Sequence, residues 1–137
     1  MVEINKLAAA LSKQGQTEDG LIFEVQPIPG DVEVLQISVE DRGELPIYIS
    51  SADDEILCMS YLFKKDEIKE ESISELNEAM LSMNVPMPLS AFATIGEQYV
   101  IFGSLSASSS TEAVIHEIEL LSENTIEAIK ALKDYLK

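Results

Sequence analysis

The sequence predicts an α+β fold in which an antiparallel sheet of five or six strands, arranged as a β-meander plus a hairpin, carries three helices on one face. The hydrophobic periodicity indicates a helix, four strands, a helix, two strands and a last helix. Short turns join the strands, which favours antiparallel pairing of neighbours. The length of 137 residues, of which 46% are apolar, suits one domain spanning residues 1–137.

The first half of the chain predicts one helix and four strands. Residues 4–13 place apolar side chains at helical spacing, and Gly15 follows as a stop signal. We expect the strands at residues 21–25, 32–39, 46–50 and 55–63, with turns rich in Pro, Gly and Asp between them. The alternation shifts at Val34 and Leu35, which indicates a β-bulge. The strand at 55–63 has few polar positions, so we expect it near the centre of the sheet.

The second half predicts a helix and a hairpin. Residues 64–71 carry charges of both signs and are typical of a linker. A capping box of Ser72 and Glu75 then begins the helix, which the Asn-Val-Pro sequence after residue 83 ends. Strands are expected at residues 89–95 and 99–105, joined by a turn at 96–98.

The last predicted helix runs from Glu112 to the end of the chain without Gly or Pro. Ser109 and Glu112 are spaced as a second capping box. A single helix of about 26 residues would be ~39 Å long at ~1.5 Å per residue. Its outer turns must therefore pack on another element or stay exposed.

The charge balance excludes several kinds of partner. Nine Lys and Arg against 25 Asp and Glu give a formal net charge of −16. Nucleic acid binding needs a basic surface, so we expect no nucleic acid partner. An anionic membrane surface is excluded for the same reason. A basic protein partner fits this charge.

The compartment follows from cysteine usage and hydropathy. Cys58 is the only cysteine, so no intrachain disulfide can form, whereas small secreted domains usually contain several. Residues 1–6 lack the basic segment and apolar run of a signal peptide. No apolar run reaches the ~20 residues that a membrane span needs. We therefore expect a cytoplasmic protein without direct membrane insertion.

The residues that could carry chemistry do not form a recognisable site. His116 is the only histidine, and with Cys58 it provides two zinc ligands where three or four are usual. Cys58 lies in an apolar strand and is expected in the core, whereas His116 is expected to be exposed. Residues 53–55 are acidic but lack the spacing of a calcium loop. The sequence therefore predicts no catalytic residue, no metal site and no cofactor.

The distribution of charge is the most informative feature. Residues 79–111 contain one charge, Glu97, in 33 positions. Methionines at the start of this segment favour two interpretations: filling of the core, or an adaptable binding surface. For the second interpretation, the candidate partner or dimer interface residues are Met80, Met83, Met87, Phe92, Tyr99 and Ile101.

Three parts of the chain resemble a known family. They are EILCMSYLF at 55–63, the hairpin segments at 88–92 and 99–106, and the helical segments at 110–119 and 123–127. Together they resemble the YjfI-like family of small acidic bacterial proteins of unknown function. Genes of that family tend to lie beside the gene of a phage-shock-protein-A-like, membrane-remodelling protein. The resemblance therefore implies a link to envelope stress. It implies no catalytic residue.

The order of elements is also similar to that of type III secretion chaperones. That resemblance implies a cytoplasmic, acidic and commonly dimeric protein that holds an extended segment of its partner on apolar patches. The strand expected at 46–50 would be one more than such proteins have before the middle helix.

Three hypotheses of function follow. The first is a non-enzymatic binding or adaptor protein, expected to form a homodimer and to bind a basic or membrane-remodelling protein. The alternative is a small-ligand-binding domain or an enzyme that uses carboxylates in a pocket on the sheet. The third is a structural subunit whose last helix is a tether, so that truncation after Asn124 would leave the sheet folded.

Overall fold

A computed structural model describes residues 4–14, 22–42, 44–52 and 54–137. In these ranges the chain forms three α-helices and six strands, which confirms the predicted α+β class. The elements are α1 (Ile4–Gln14), β1 (Phe23–Ile28), β2 (Val34–Val39), β3 (Ile47–Ala52), β4 (Glu55–Lys64), α2 (Ile73–Asn84), β5 (Ala91–Ile95), β6 (Gln98–Ser106) and α3 (Thr111–Leu132). Gly15, expected to end the first helix, Leu21, expected to begin the first strand, and Gly43 and Asp53, expected in turns, lie outside the described residues.

All six strands form one antiparallel sheet in the order β1-β2-β3-β4-β6-β5. The four-strand meander and the hairpin are therefore confirmed, and β4 lies in the interior as expected. The hairpin joins the meander through its second strand, because β6 pairs with β4 while β5 forms the outer edge. Gly96 has φ of +60°, which suits the first position of a two-residue turn of type II′.

Helices cover one face of the sheet. α3 contacts β3, β4 and β6, and α1 contacts β1 and β2. The strand side chains under these helices are almost completely buried: Leu35, Ile37, Ile47, Ile49, Ile56, Cys58 and Ile101 are each 0% exposed. This alternation of buried and less buried positions is what one covered sheet face requires.

The opposite side of the sheet, which we call the open face, has no contact with α1 or α3 in this part of the chain. Its members lie at the alternate positions of the same strands. The central ones are Gln36, Tyr48, Ser50, Leu57, Met59, Tyr61, Val100 and Phe102. The rings of Tyr48 and Tyr61 lie side by side there, with centroids 5.4 Å apart.

The β-bulge lies in β4, so the prediction of a bulge at Val34 and Leu35 is wrong. β2 keeps a regular register with both neighbours, because the alternation begins only at Val34. In β4 the register shifts between Tyr61 and Phe63. The extra residue turns Phe63 into the core, where its ring stacks on Tyr99 with centroids 5.2 Å apart.

Both capping boxes differ from the prediction. Ser72 has helical backbone angles, because a short 3₁₀ turn runs directly into α2, and its side chain caps nothing. At α3 the N-cap is Ser110, whose Oγ accepts a hydrogen bond from the backbone N–H of Ala113. The helix starts one residue later than the Ser109 box implied.

Other elements also begin or end at residues that differ from the predicted ones. β1 continues through Pro27, which an edge strand tolerates because the missing N–H points away from the partner. β5 begins at Ala91, since Leu89 has a φ of 61° that a strand cannot accommodate. The expected linker at residues 64–71 is part of the fold, because Ile68 is 1% exposed and forms a β-bridge with Leu136.

The last helix is a single α-helix of 22 residues that ends at Leu132 and is followed by a 3₁₀ turn. Beyond Asn124 it buries Thr125, Ala128 and Leu132. This half of α3 is therefore a core element, which contradicts the idea of a separable tether. No helix in the described ranges is long and apolar enough to cross a membrane.

Candidate functional site

A groove of about 460 Å³ lies between α2 and the edge strand β5, and we call it the α2–β5 groove. Residues of α2 form one wall and residues of the β5–β6 hairpin form the other, with Lys65 at one end. The α2 wall is Ile73, Asn77, Met80, Leu81 and Asn84, and the hairpin wall is Phe92, Ala93, Thr94, Gly96 and Tyr99.

Helical spacing brings the groove-lining residues of α2 together on one side of the helix. Ile73, Asn77 and Met80 are three or four residues apart, so they share one side of the helix. Met80 is 4% exposed and reaches into the core, while Leu81 at the rim is 70% exposed. The wall thus has a buried apolar floor and an accessible apolar edge.

Two asparagines attach α2 to the hairpin. The hydroxyl of Tyr99 donates a hydrogen bond to Oδ1 of Asn77 at 2.6 Å. The backbone N–H of Phe92 donates to Oδ1 of Asn84 at 2.8 Å. Both bonds join the walls of the groove and fix its width.

The outer edge of β5 provides backbone hydrogen-bonding groups. The bond from the Phe92 N–H to Asn84 shows that this residue points its polar groups away from β6. In an antiparallel strand the orientation alternates, so the N–H and C=O of Thr94 point the same way. No described strand pairs with this edge, and Thr94 is exposed. An unpaired strand edge is a template for pairing with another chain.

The groove differs in charge from the rest of the surface. Lys65 is the one charged residue among the lining residues that the structure describes, whereas the whole chain has a formal charge of −16. A partner segment without charge can therefore enter the groove without losing an ion pair or burying an unpaired charge.

The six predicted interface residues fall into two groups. Met80, Phe92, Tyr99 and Ile101 are 4%, 9%, 6% and 0% exposed, so they belong to the core of a single chain. Met83 and Met87 are half-buried and pack against that core. Three of the six, Met80, Phe92 and Tyr99, also line the groove.

Sequence reasoning missed Asn77, Leu81 and Asn84 as groove residues. The low charge of residues 79–111 indicates a candidate segment, but it does not show which side of α2 faces the hairpin. The spacing of the two asparagines, seven residues apart on one side of the helix, is the signal that could have found them.

The residues considered for chemistry lie in different environments. Cys58 is completely buried, and burial, together with the charge of nearby Glu117, raises the pKa of its thiol to about 12. His116 is exposed on α3. The two are thus placed as the sequence predicted, and a thiol with such a pKa is not a nucleophile near neutral pH.

Glu117 is a feature that the sequence did not single out. It is 2% exposed, and its Oε1 has no hydrogen-bond partner in the described structure. Burial raises the pKa of this carboxyl group, and the charge of neighbouring His116 acts in the opposite direction. The group lies between α3 and β6, outside the groove.

Carboxylates also line a depression of about 310 Å³ at one end of β1 and β2, where Glu24, Glu40 and Asp41 are found. In the described ranges no three acidic, cysteine or histidine residues are grouped so that they could hold a metal ion. The alternative of a carboxylate pocket remains a prediction for this depression.

Among solved structures, the chain is similar to a chain of the crystal structure of the ExsC–ExsE complex. The TM-score is 0.45 with 12% sequence identity, and the match covers 91% of this chain and 92% of that chain. The order of elements predicted from the sequence is present: a helix, four strands, a helix, two strands and a last helix.

Two curated relatives support the family resemblance seen in the sequence. The uncharacterized protein YjfI of Escherichia coli strain K12 is 26% identical over an alignment of 135 residues, and the match covers 96% of each chain. The YjfI protein of strain O157:H7 matches equally well. The profile of a family described as an uncharacterized protein conserved in bacteria, DUF2170, matches residues 1–136. The chain therefore belongs to the DUF2170 family.

Proposed function

We propose that this protein is a non-enzymatic binding or adaptor protein that holds an extended segment of a partner protein in the α2–β5 groove. One observation carries the proposal: an unpaired strand edge lies beside an apolar floor in an otherwise acidic chain. Strand addition uses these two elements, since backbone bonds give affinity and side-chain pockets give specificity.

The bound segment continues the sheet beyond β5. Its backbone pairs with the N–H and C=O of Thr94, and alternate side chains point into the groove. The side chain of Asn84 already accepts a hydrogen bond from the N–H of Phe92. The added strand therefore cannot accept a hydrogen bond from that N–H. This occupied donor fixes where pairing begins and therefore sets the register of the partner.

The charge of the chain defines the partner further. The segment inside the groove is apolar and uncharged, because it contacts Met80, Leu81 and Phe92. The residues flanking it are basic, since they face a surface with a large excess of Asp and Glu.

Three finer statements belong to this proposal. The protein acts in the cytoplasm, it forms a homodimer, and its partner is a phage-shock-protein-A-like, membrane-remodelling protein linked to envelope stress. The last of these rests on the family resemblance alone, which makes that protein from the same host the first partner to test.

The test compares two neighbouring acidic substitutions on α2. Leu81→Asp puts a charge on the groove wall, whereas Ser82→Asp puts the same charge on an exposed position outside the lining. The purified phage-shock-protein-A-like protein, and peptides covering its sequence, are titrated against the wild type and both variants. We expect Leu81→Asp to weaken binding about tenfold or more, as one uncompensated buried charge requires, and Ser82→Asp to bind as the wild type does.

Equal binding by the two variants would contradict the groove as the site. If no peptide binds, the proposed partner is wrong, and the same pair of variants is then used in a pull-down from the host. A partner recovered equally by both variants would contradict the strand-addition proposal itself.

A further inference from the structure

The open face has almost no charge, although the chain as a whole is strongly acidic. The six described strands contain three charged residues in total, Glu24, Glu55 and Lys64. Glu24 lies on the edge strand β1, and the other two are the first and last residues of β4. The centre of the open face is therefore uncharged, and Tyr48, Met59 and Phe102 form a continuous row across it.

The open face is also less buried than a covered sheet face. Tyr61 on β4 is 50% exposed, whereas Cys58 and Ile56 on the other side of the same strand are each 0% exposed. Side chains in interior strands become buried when another layer packs on them. In the described part of the chain α1 and α3 provide that layer on one side, and Val100, at 1% exposed, is the one central open-face residue that is buried.

We propose that a second copy of this chain packs on the open face, so that two sheets lie face to face. The inference rests on the proposed homodimer and names its surface. Two chains with a formal charge of −16 repel each other, and close approach is least unfavourable through a surface without charge. Pairing the centres of the open faces desolvates apolar and neutral groups, while Glu24 and Glu55, which lie at the margins of the same face, stay in water.

The size of the open face fits such a dimer. Six strands at about 4.8 Å spacing are about 29 Å wide, and about 20 Å of strand length gives a flat area of roughly 600 Å². Specific interfaces bury about 800 Å² per partner, and about 600 Å² at the lower end. Methionine and tyrosine at the centre are residue types that such interfaces favour.

The composition of the open face favours a second copy of the same chain as the protein that packs on it. A two-fold axis brings the same surface of both chains together, so the surface must be compatible with itself. A charged patch would meet its own charge across the axis, whereas the neutral side chains of Gln36, Ser50 and Tyr61 meet no such repulsion. A strongly basic partner would gain nothing from this uncharged centre.

The test uses the concentration dependence of the mass of the full-length chain, measured by analytical ultracentrifugation between roughly 1 and 100 µM, which covers modest dimer affinities. We expect the wild type to approach twice 15.1 kDa. Gln36→Glu adds a charge at the open face with no change of shape, and Tyr61→Glu adds one at a half-exposed position. Each raises the dimer Kd by about tenfold or more, because both copies carry the charge.

The matched control is Ala131→Glu, which adds the same charge at an exposed position of α3. Its dimer Kd stays within about twofold of the wild type. Circular dichroism checks that each variant is folded, and the isosteric Gln36→Glu change keeps the test valid if Tyr61→Glu is unstable.

Two results would overturn the inference in different ways. A wild type that stays monomeric over the whole range removes both the homodimer and this surface. A dimer that Gln36→Glu and Tyr61→Glu leave unchanged removes the surface but keeps the homodimer. Partner binding in the groove is measured separately, and Leu81→Asp retains dimerisation if the two surfaces are distinct.

Discussion

Gly103 of β6 lies directly beneath the carboxyl group of Glu117 in α3. A Cβ atom at this glycine would overlap Oε1 of Glu117 and would lie 2.9 Å from the backbone oxygen of Leu89. Because Gly103 has no side chain, α3 can pack closely on the sheet even though its Glu117 side chain points toward β6. Three elements, α3, β6 and the loop before β5, meet at this point.

Gly103→Ala is expected to destabilise the fold. The added methyl group must displace the Glu117 side chain and also shift the backbone at Leu89, and overpacking of this kind costs about 1–3 kcal/mol. The free energy of unfolding in urea measures the effect. Ser104→Ala, at the next and exposed position, is the control and should change stability by less than about 0.5 kcal/mol. Equal stability of Gly103→Ala and the wild type would mean that α3 does not sit as closely as described.

Glu117→Gln should change how stability depends on pH. Burial raises the pKa of Glu117 above the ordinary value of 4.5, so the folded state holds the proton more tightly than the unfolded chain. The favourable contribution of the protonated group is therefore complete below pH 4.5 and is lost as the pH rises through the raised pKa. At pH 7 the variant should therefore be more stable than the wild type, and this advantage should shrink as the pH falls below the raised pKa.

Urea unfolding at several pH values checks this difference. Glu78→Gln, at an exposed position of α2, is the matched control and should give a small difference that does not depend on burial. A Glu117→Gln variant that is less stable than the wild type at pH 7 would show that the ionised carboxyl group has favourable contacts.

Tyr99 and Asn77 should be energetically coupled, because the tyrosine hydroxyl donates a hydrogen bond to the asparagine across the groove. Tyr99→Phe removes the donor and should cost about 0.5–1.5 kcal/mol. A double-mutant cycle with Asn77→Ala measures the coupling in urea unfolding, and we expect about 0.5 kcal/mol or more. Additive losses would indicate that the bond does not hold α2 against the hairpin.

Cys58 should resist thiol reagents in the folded protein. It is completely buried, and its thiol pKa of about 12 leaves almost no thiolate at pH 8. We expect labelling at least about 100-fold slower in native buffer than in denaturant, as the stability of an ordinary domain implies. Rapid native labelling at one site per chain would contradict the position of Cys58 under α3.

Local patterns in the sequence predicted the elements well, because helical and strand periodicity depends on near neighbours alone. The helix at 4–13, the strand at 55–63 and the helix at 73–83 differ from α1, β4 and α2 by one residue at an end. The ends of elements were less predictable where an adjacent element alters the backbone conformation. At Ser72, for example, a 3₁₀ turn runs into α2, so the expected capping box does not form.

The sequence predicted a candidate interface in the charge-poor segment but no groove. Met80, Phe92 and Tyr99 of that set line the groove, and their role in an interface stays a prediction. The segment could not show that Ile101 is completely buried or that Leu81 is exposed, because the side of an element that meets solvent depends on what packs against it.

The sequence alone determined the α+β class, the order of the elements and the excess of acidic residues over basic ones, since these follow from composition and local periodicity. The tertiary structure decided that β6, not β5, pairs with β4, and this leaves β5 at an open edge beside α2. It also placed the bulge between Tyr61 and Phe63, which puts one ring on the open face and the other in the core. Such choices depend on pairing between residues far apart in sequence, where a shift of one residue exchanges the two faces of a strand.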